Sequence, residues 1–267
     1  MNKKRNEKMG SETNCGFEKA VNEYLATHPV KGLADWGDFQ KFAATAPVKG
    51  AVDATVYPCH KARRIRFWGA LEHLPLMRSW GLDVDEFDPD AAARGCVPDV
   101  FICHLEPTYS QGSVEQILGA VRRGTHFITL QNTDLWCKAL AKRLGHTYSG
   151  VLNVSAKDAV YFANCPRLLA GFPEGRLDAG AYPILRAHAC AVYMTGERCL
   201  LGIADMKQKR IASAIAQYPY GKGAATFVCP YANKKNEEYN DPAYKRLLLN
   251  LISLLPPVGG AKCGTNC

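Results

Sequence analysis

A chain of 267 residues with 47% apolar and 22% charged residues has the composition of an ordinary globular protein, and its length favours one large domain with additions over two equal ones. The formal net charge of +8 does not indicate nucleic-acid binding, because no basic stripe interleaved with aromatic residues accompanies it. No apolar run has the length of a signal-peptide core or a membrane helix, so we expect a cytoplasmic protein that binds neither nucleic acid nor a membrane.

The eleven cysteines are an odd number in a long chain and do not form the framework of a small disulfide-rich protein. Several lie in apolar runs, such as Cys103 after Phe101-Ile102, which favours small buried side chains in a reducing compartment. No Cys-x-x-Cys pair occurs, and Cys263 and Cys267 lack the two further ligands of a structural zinc site. We therefore expect no metal site and no cofactor.

The chain begins with a charged segment, residues 1–14, whose composition predicts a disordered tail. Two short helical patterns, around 17–26 and 36–44, then form a helical prefix over 15–60. The main domain, 61–255, follows this prefix and opens with a β-branched and aromatic strand.

That first strand, 65–69, leads into a helix over 71–80 and a second strand over 82–87. A third strand, 99–103, precedes a helix for which Ser113 is the predicted N-cap and Gln116 completes a capping box. The apolar residues of this helix recur at helical spacing, which predicts one buried face: Val114, Ile117, Leu118 and Val121.

A fourth strand, 126–130, is followed by a helix that begins at Asp134 and ends at Gly145. This alternation of strands and helices predicts an α/β fold with parallel strands joined by right-handed helical crossovers. Short strand-like pieces over 145–218 predict an antiparallel β-rich insertion, and the strand 224–229 returns to the main sheet.

The last helix has the clearest boundaries in the chain. Asp241 is its predicted N-cap, Pro242 occupies the first helical position, and Pro256 ends it. Residues 256–267 form a predicted flexible tail.

Ligands of open parallel sheets bind outside the carboxyl ends of the strands, near the point where the strand order reverses. Five polar or aromatic residues follow the predicted strands and are our candidate ligand-binding residues: Trp68, His104, Glu106, Gln131 and Asn132. A hydrolase with this scaffold places Cys or Ser on a strained turn flanked by glycines, and 131–134 has neither the glycines nor a thiol. Thr133 and Asp134 are explained as helix caps, so only Gln131 and Asn132 of this loop have no structural explanation.

The neighbours Cys103, His104 and Glu106 suggest a rival interpretation, a hydrolase in which His104 serves as base. Alternation along a strand places Cys103 and His104 on opposite faces, which argues against a thiol–imidazole pair. Cys59-His60 and His188-Ala189-Cys190 each lack a third orienting group and are interpreted as structural.

The order of these elements resembles the class I glutamine amidotransferase-like fold, in particular its non-catalytic versions in ThuA-like proteins and in bacterial glycoside hydrolases of the β-galactosidase type. The likeness covers roughly residues 63–255. Four segments carry it: Asp99–Cys103 with the helix ending at Gly124, the strand His126–Leu130, the segment Asn164–Gly175, and Tyr220–Gly223 through the helix that begins at Asp241-Pro242.

The resemblance implies a flavodoxin-like parallel sheet with helices on both faces and an inserted β element. Such relatives are associated with carbohydrate-processing proteins and often serve as packing or oligomerisation modules. Catalytic amidotransferases of this fold carry a Gly-x-Cys-x-Gly elbow with a later His and Glu, whereas Leu130-Gln131-Asn132 stands at that place here. This departure argues against glutamine hydrolysis.

We therefore predict a non-catalytic amidotransferase-like domain that is linked to carbohydrate metabolism. It binds a small polar ligand, such as a sugar, or a protein partner at the strand ends. Two alternatives stay open: a hydrolase, glycoside-hydrolase-related or Cys/His-dependent, that uses the strand-end residues, and a purely structural module that forms homo-oligomers.

Overall fold

The computed structural model describes residues 3–45, 48–69, 73–87, 97–104, 111–130, 138, 141–154, 158–177, 181–182, 190–194, 196–230 and 240–255. Within these ranges, side chains are described except at 3–14, 111–113, 151, 153 and 190–194.

Ten strands are described: β1 (Arg64–Trp68), β2 (Asp83–Glu86), β3 (Val100–His104), β4 (His126–Leu130), β5 (Tyr148–Asn153), β6 (Ala159–Ala163), β7 (Cys190–Met194), β8 (Arg198–Asp205), β9 (Arg210–Tyr220) and β10 (Gly223–Val228). The α-helices with assigned bounds are α1 (Lys3–Thr27), α2 (Trp36–Ala44), α3 (Pro58–Lys61), α4 (His73–Ser79), α5 (Gln111–Arg123) and α6 (Pro242–Ile252). Residues 138 and 141–144 are also helical. Two short 3-10 helices, Pro166–Leu169 and Pro173–Gly175, follow β6.

The central part of the sheet is parallel and has the order β2-β1-β3-β4-β10. This is the flavodoxin-like order, in which the chain moves to one side of β1 for β2 and to the other side for β3. The remaining strands pair in antiparallel fashion, with β10 against β9 and β9 against both β8 and β7. The predicted fold class is confirmed: an α/β sheet with an inserted antiparallel element.

Both faces of the central strands are covered, because every residue of β3 and β4 is buried. On one face, residues such as Ile65 and Ile102 pack with α4 and α6. On the other face, residues such as Phe101 and Phe127 pack with the apolar side of α5. Strands buried on both sides are typical of a parallel sheet between two helical layers.

The helical prefix covers the antiparallel part of the sheet rather than the parallel part. Phe17, Val21 and Phe39 of α1 and α2 share one apolar cluster with Phe162 and Ile211. Polar contacts add to this interface, since the Tyr24 hydroxyl lies 2.7 Å from Ser213 Oγ.

His28 and Glu197 join the prefix to the strand β8 region by an ion pair of 3.2 Å. The hydrogen bond that the His28 imidazole donates to the Glu197 carboxylate raises the pKa of His28 against the opposing effect of burial. A raised histidine pKa stabilises the docked prefix at low pH, and this contribution is lost as the pH rises through the folded-state pKa.

Three local features differ from the sequence-based expectations. α1 begins at Lys3, so residues 3–14 are helical where the composition predicts a disordered tail; Lys, Arg and Glu are good helix formers and no proline interrupts the run. α5 begins at Gln111, so Ser113 lies inside the helix and is not its N-cap. Cys59 is disulfide-bonded, which corrects the expectation of a reduced cysteine at this position. Five other cysteines in the described ranges are free, and four of them are buried as expected, while the first is exposed: Cys15, Cys103, Cys165, Cys199 and Cys229.

The last helix has the predicted start. The Asp241 carboxylate accepts hydrogen bonds from the backbone N–H groups of Ala243 and Tyr244 at 2.9 and 3.3 Å, and Pro242 follows at the first helical position. These bonds satisfy backbone donors that have no partner within the helix.

A buried histidine predicts acid sensitivity. His126 Nε2 lies 2.7 Å from the Thr226 hydroxyl, which in turn accepts from the Gln217 amide, so the hydroxyl proton is directed at the imidazole. Burial lowers the pKa of His126 to about 3. The unfolded chain therefore binds a proton below about pH 6.5 that the folded protein does not bind, and stability falls as the pH drops from 6.5 towards 3.

Between pH 7 and pH 5, the neutral His126 should lower the free energy of unfolding by about 2 kcal/mol. We expect His126→Gln to lack this part of the pH dependence. Urea unfolding at pH 7, 6 and 5 measures this loss for both proteins. The readout is the difference between pH values, so a constant destabilisation by the substitution does not affect it. Equal losses in the two proteins would contradict a neutral His126.

Candidate functional site

The strand order reverses between β1 and β3, and the residues that end these two strands define the candidate site. Trp68, the last residue of β1, pairs with Cys103, and His104 is the last residue of β3. Gly69 follows Trp68 with φ of +143°, and a methyl group placed on it would overlap the carbonyl oxygen of His104. Glycine thus allows a close approach of two backbones at the switch point.

His104 belongs to the face of the sheet that carries α4 and α6. Its ring lies 5.3 Å from the ring of His73, centroid to centroid, and His73 in turn makes an edge contact with Phe67. Both histidines are buried completely. No motif in the sequence marks His73, although its place in the first turn of the helix after β1 is a signal for such a contact.

Trp68 lies on the opposite face, with the α5 layer. Its ring stacks on Phe87 with centroids 5.3 Å apart and planes 16° apart, and Phe87 also contacts Phe101. Trp68 and Phe87 are both partly exposed. Together they form an aromatic surface at the carboxyl ends of β1 and β2, to which we refer as the Trp68 platform.

The structure therefore separates two residues that the sequence groups together. Trp68 and His104 follow neighbouring strands, but the pairing of Trp68 with Cys103 rather than with His104 places them on opposite faces. The other three candidates, Glu106, Gln131 and Asn132, lie outside the described residues.

Cys103 and His104 also lie on opposite faces, as alternation predicts. Cys103 belongs to the apolar cluster of Phe101 and Phe127, whereas His104 lies beside His73. Cys103 is only 1% exposed. The thiol–imidazole pair that the rival hydrolase interpretation needs is therefore not formed between these residues.

The Cys59-His60 pair has a structural arrangement. His60 Nδ1 accepts a hydrogen bond from the backbone N–H of Tyr57 at 2.9 Å. Burial lowers the pKa of His60 to about 4, and the charges of Arg246 and Arg63 act in the same direction. A neutral imidazole that accepts at Nδ1 caps this chain segment, and the adjacent Cys59 is in a disulfide rather than available as a thiolate. The side chains of His188 and Cys190 lie outside the described part.

Among the residues that the structure describes, no group of three or more His, Cys, Asp or Glu side chains is arranged to hold a metal ion. His73 and His104 alone supply two imidazoles, fewer than a stable protein site for zinc uses. The described helices also include none that is long and apolar enough to cross a membrane.

No protein-family profile and no curated protein matches the chain. Among solved structures, a β-galactosidase from Rahnella sp. R3 is 13% identical over 73% of this chain and 32% of that chain, with a TM-score of 0.44. A cytoplasmic protein from Salmonella typhimurium is 14% identical over 73% of this chain and 99% of that chain, with a TM-score of 0.42.

A ThuA-like protein from Bacteroides uniformis is 12% identical over 78% of this chain and 94% of that chain, with a TM-score of 0.39. This chain spans about a third of the length of the Rahnella β-galactosidase. The structural neighbours thus include ThuA-like and glycoside-hydrolase proteins at low identity, and none of them assigns a family or an activity to this chain.

Proposed function

We propose that this chain is a non-catalytic domain of the amidotransferase-like fold that binds a small polar ligand, such as a sugar, at the carboxyl ends of β1, β3 and β4. The observation that carries the proposal is the Trp68 platform, a partly exposed pair of stacked aromatic rings beside the switch point of the sheet. The switch point is where open α/β sheets bind their ligands.

An aromatic platform suits one face of a sugar ring. The C–H groups on that face are apolar and pack on an aromatic ring, while the hydroxyl groups at the ring edge need hydrogen-bond partners. In the sequence, Glu106 follows β3 and Gln131 and Asn132 follow β4, which are the carboxylate and amide groups that we propose for this role.

His104 has a different role in this proposal. Its ring is buried on the face opposite to Trp68, so a ligand on the Trp68 platform does not touch it. We assign His104, together with His73, to packing between the end of β3 and α4. In the sequence, Leu130-Gln131-Asn132 stands where catalytic relatives carry the Gly-x-Cys-x-Gly elbow, so the proposed site binds its ligand without catalysing a reaction.

The test is calorimetric titration of the full chain with galactose, mannose and glucose. We expect at least one sugar to bind and Trp68→Ala to weaken that binding about tenfold or more, because the stacking surface is lost. Trp36→Ala is the matched control, since Trp36 is also partly exposed and stacked on a phenylalanine, Phe39, but lies in the prefix. Its sugar affinity should equal that of the unchanged protein.

Three results would contradict the proposal. The first is the absence of binding for all three sugars, and the second is equal weakening by Trp68→Ala and Trp36→Ala. The third is release of a product from a β-galactoside or β-mannoside, which would indicate the hydrolase alternative. Light scattering on the same samples tests the oligomerisation alternative, which requires an assembly that persists when Trp68 is changed.

A further inference from the structure

An ion pair lies next to the Trp68 platform, on the same face of the sheet. The two fully buried residues of β1 belong to the opposite face, so alternation places Arg66 and Trp68 together on this one. The parallel register pairs Arg66 with Asp85, and Phe87, two residues after Asp85, stacks on Trp68. Arg66 and Asp85 therefore precede the Trp68 platform by two residues on each strand.

The ion pair has a fixed geometry. Arg66 Nη1 lies 3.1 Å from one carboxylate oxygen of Asp85, and Arg78 of α4 lies 3.1 Å from the other. The same Nη1 of Arg66 also donates to the backbone oxygen of Ile65 at 3.2 Å. Side chains that are already held in place lose little conformational freedom when they bind a ligand.

Both members of the pair retain capacity for further hydrogen bonds. The contacts that Arg66 makes with described residues use Nη1, which leaves the N–H groups of Nη2 and Nε. Each carboxylate oxygen of Asp85 makes one contact and can accept a second hydrogen bond. The side chains of Arg66 and Asp85 are 32% and 56% exposed, so a ligand can reach both.

A guanidinium beside a carboxylate suits the hydroxyl groups of a sugar, because a hydroxyl group both donates and accepts a hydrogen bond. Two residues along a parallel strand span about 7 Å. A hydrogen bond joins heavy atoms only about 3 Å apart. A sugar ring that stacks on the Trp68 platform therefore leaves the ion pair to a second ring.

We propose that the strand-end site binds an oligosaccharide rather than a single sugar. One sugar unit stacks on the Trp68 platform, and the next unit, towards the amino end of β1, hydrogen-bonds to Arg66 and Asp85. This inference rests on the proposed function and adds to it the size of the ligand and its direction along the sheet.

The experiment is calorimetric titration of the full chain with galactose, mannose and glucose and with the disaccharides galactobiose, mannobiose and cellobiose. For the sugar that binds, we expect the disaccharide to bind about tenfold more tightly than the monosaccharide, because the second unit adds charge-assisted hydrogen bonds. Trp68→Ala should weaken both ligands, since both use the platform.

Asp85→Asn tests the second subsite. It should reduce the ratio of disaccharide to monosaccharide affinity from about ten to about one, because the charged acceptor is lost and Arg66 is no longer held. Arg66→Met removes the donor and should have the same effect on the ratio. Each ratio compares two ligands on one variant, so a partial loss of folded protein does not change it.

Glu86→Gln is the matched control. Glu86 is the residue after Asp85 and is also an exposed carboxylate, but the register pairs it with Phe67 on the opposite face. The ratio of the two affinities should remain that of the unchanged protein. Circular dichroism melting shows that each variant is folded before its titration is interpreted.

The inference is overturned if the disaccharides bind no more tightly than the monosaccharides, or if Asp85→Asn and Glu86→Gln give the same ratio. Monosaccharide binding that depends on Trp68 would in either case leave the proposed function intact. Absence of binding for all six sugars would overturn the proposed function and this inference together.

Discussion

Gly69→Ala is expected to lower the free energy of unfolding by about 3–5 kcal/mol, one of the two largest effects that we predict. The new methyl group would overlap the carbonyl oxygen of His104, which is backbone and cannot rotate away as a side chain can. The φ of +143° adds strain for any residue with a Cβ atom. The ends of β1 and β3 would have to separate, and urea unfolding measures the cost.

Gly150→Ala is the matched control for this prediction. Gly150 has nearly the same φ, +142°, but a methyl group placed on it meets no atom within 4 Å. We expect this variant to lose about 1–2 kcal/mol from backbone strain alone. If the free energy of unfolding fell equally in both variants, the close approach of Gly69 to β3 would contribute nothing to the effect of Gly69→Ala. The described geometry of the switch point would then be wrong.

A folded Gly69→Ala protein would also test the proposed site. Separation of the strand ends shifts Trp68, which directly precedes the substitution, so the Trp68 platform would lose its alignment with Phe87. We expect sugar affinity to fall in Gly69→Ala and to remain unchanged in Gly150→Ala.

Arg246→Met is expected to lower the free energy of unfolding by about 3–5 kcal/mol. Arg246 is 3% exposed and its guanidinium donates to the backbone oxygens of Asp53 and Thr55 and to Asn250 Oδ1. It also forms an ion pair of 3.2 Å with the Asp53 carboxylate. Methionine retains the apolar stem but leaves these acceptors without their donor.

Lys245→Met is the control, because Lys245 neighbours Arg246 on α6 and contacts only the face of Trp80 among the described contacts. We expect a loss below about 1 kcal/mol for this variant. Arg246→Lys keeps the charge but cannot donate to all four acceptors, so most of the loss should remain. A loss below about 1 kcal/mol for Arg246→Met itself would show that the linker around Asp53 is not held by this residue.

Asn250, one turn after Arg246, extends the same network. Its amide donates to the backbone oxygens of Leu168 and Ala170 at 2.9 Å each, while its oxygen accepts from Arg246. Helix α6 thereby joins two segments: Asn164–Gly175, and the linker around Asp53 and Thr55 that lies between α2 and α3 within the prefix. The sequence shows these two segments only as separate patterns. They are adjacent in the structure because Arg246 and Asn250 of α6 hydrogen-bond to backbone groups of both.

The sequence by itself determined the elements and the fold class. Period-2 and period-3.6 patterns mark strands and helices locally, and the alternation of the two predicts parallel strands with helical layers, because an apolar face must be covered. The N-cap of α6 was predicted because capping is a contact between neighbours in sequence. The opposite orientations of Cys103 and His104 followed from alternation within one strand.

Local patterns were insufficient wherever a preference of about 1 kcal/mol competes with the rest of the fold. Ser113 is a good N-cap, yet α5 begins at Gln111. The placement of Trp68 and His104 on opposite faces depends on the register of β1 against β3. No pattern within either strand predicts that register.

Only the tertiary structure decided which residues meet. The contacts of Trp68 with Phe87, of His104 with His73 and of Arg246 with the linker all join residues whose proximity depends on the pairing of strands and the placement of helices. The Arg66–Asp85 ion pair lies beside the Trp68 platform because β1 and β2 pair in this register. Such contacts arise from the packing of distant segments into one core, which local sequence preferences influence only weakly.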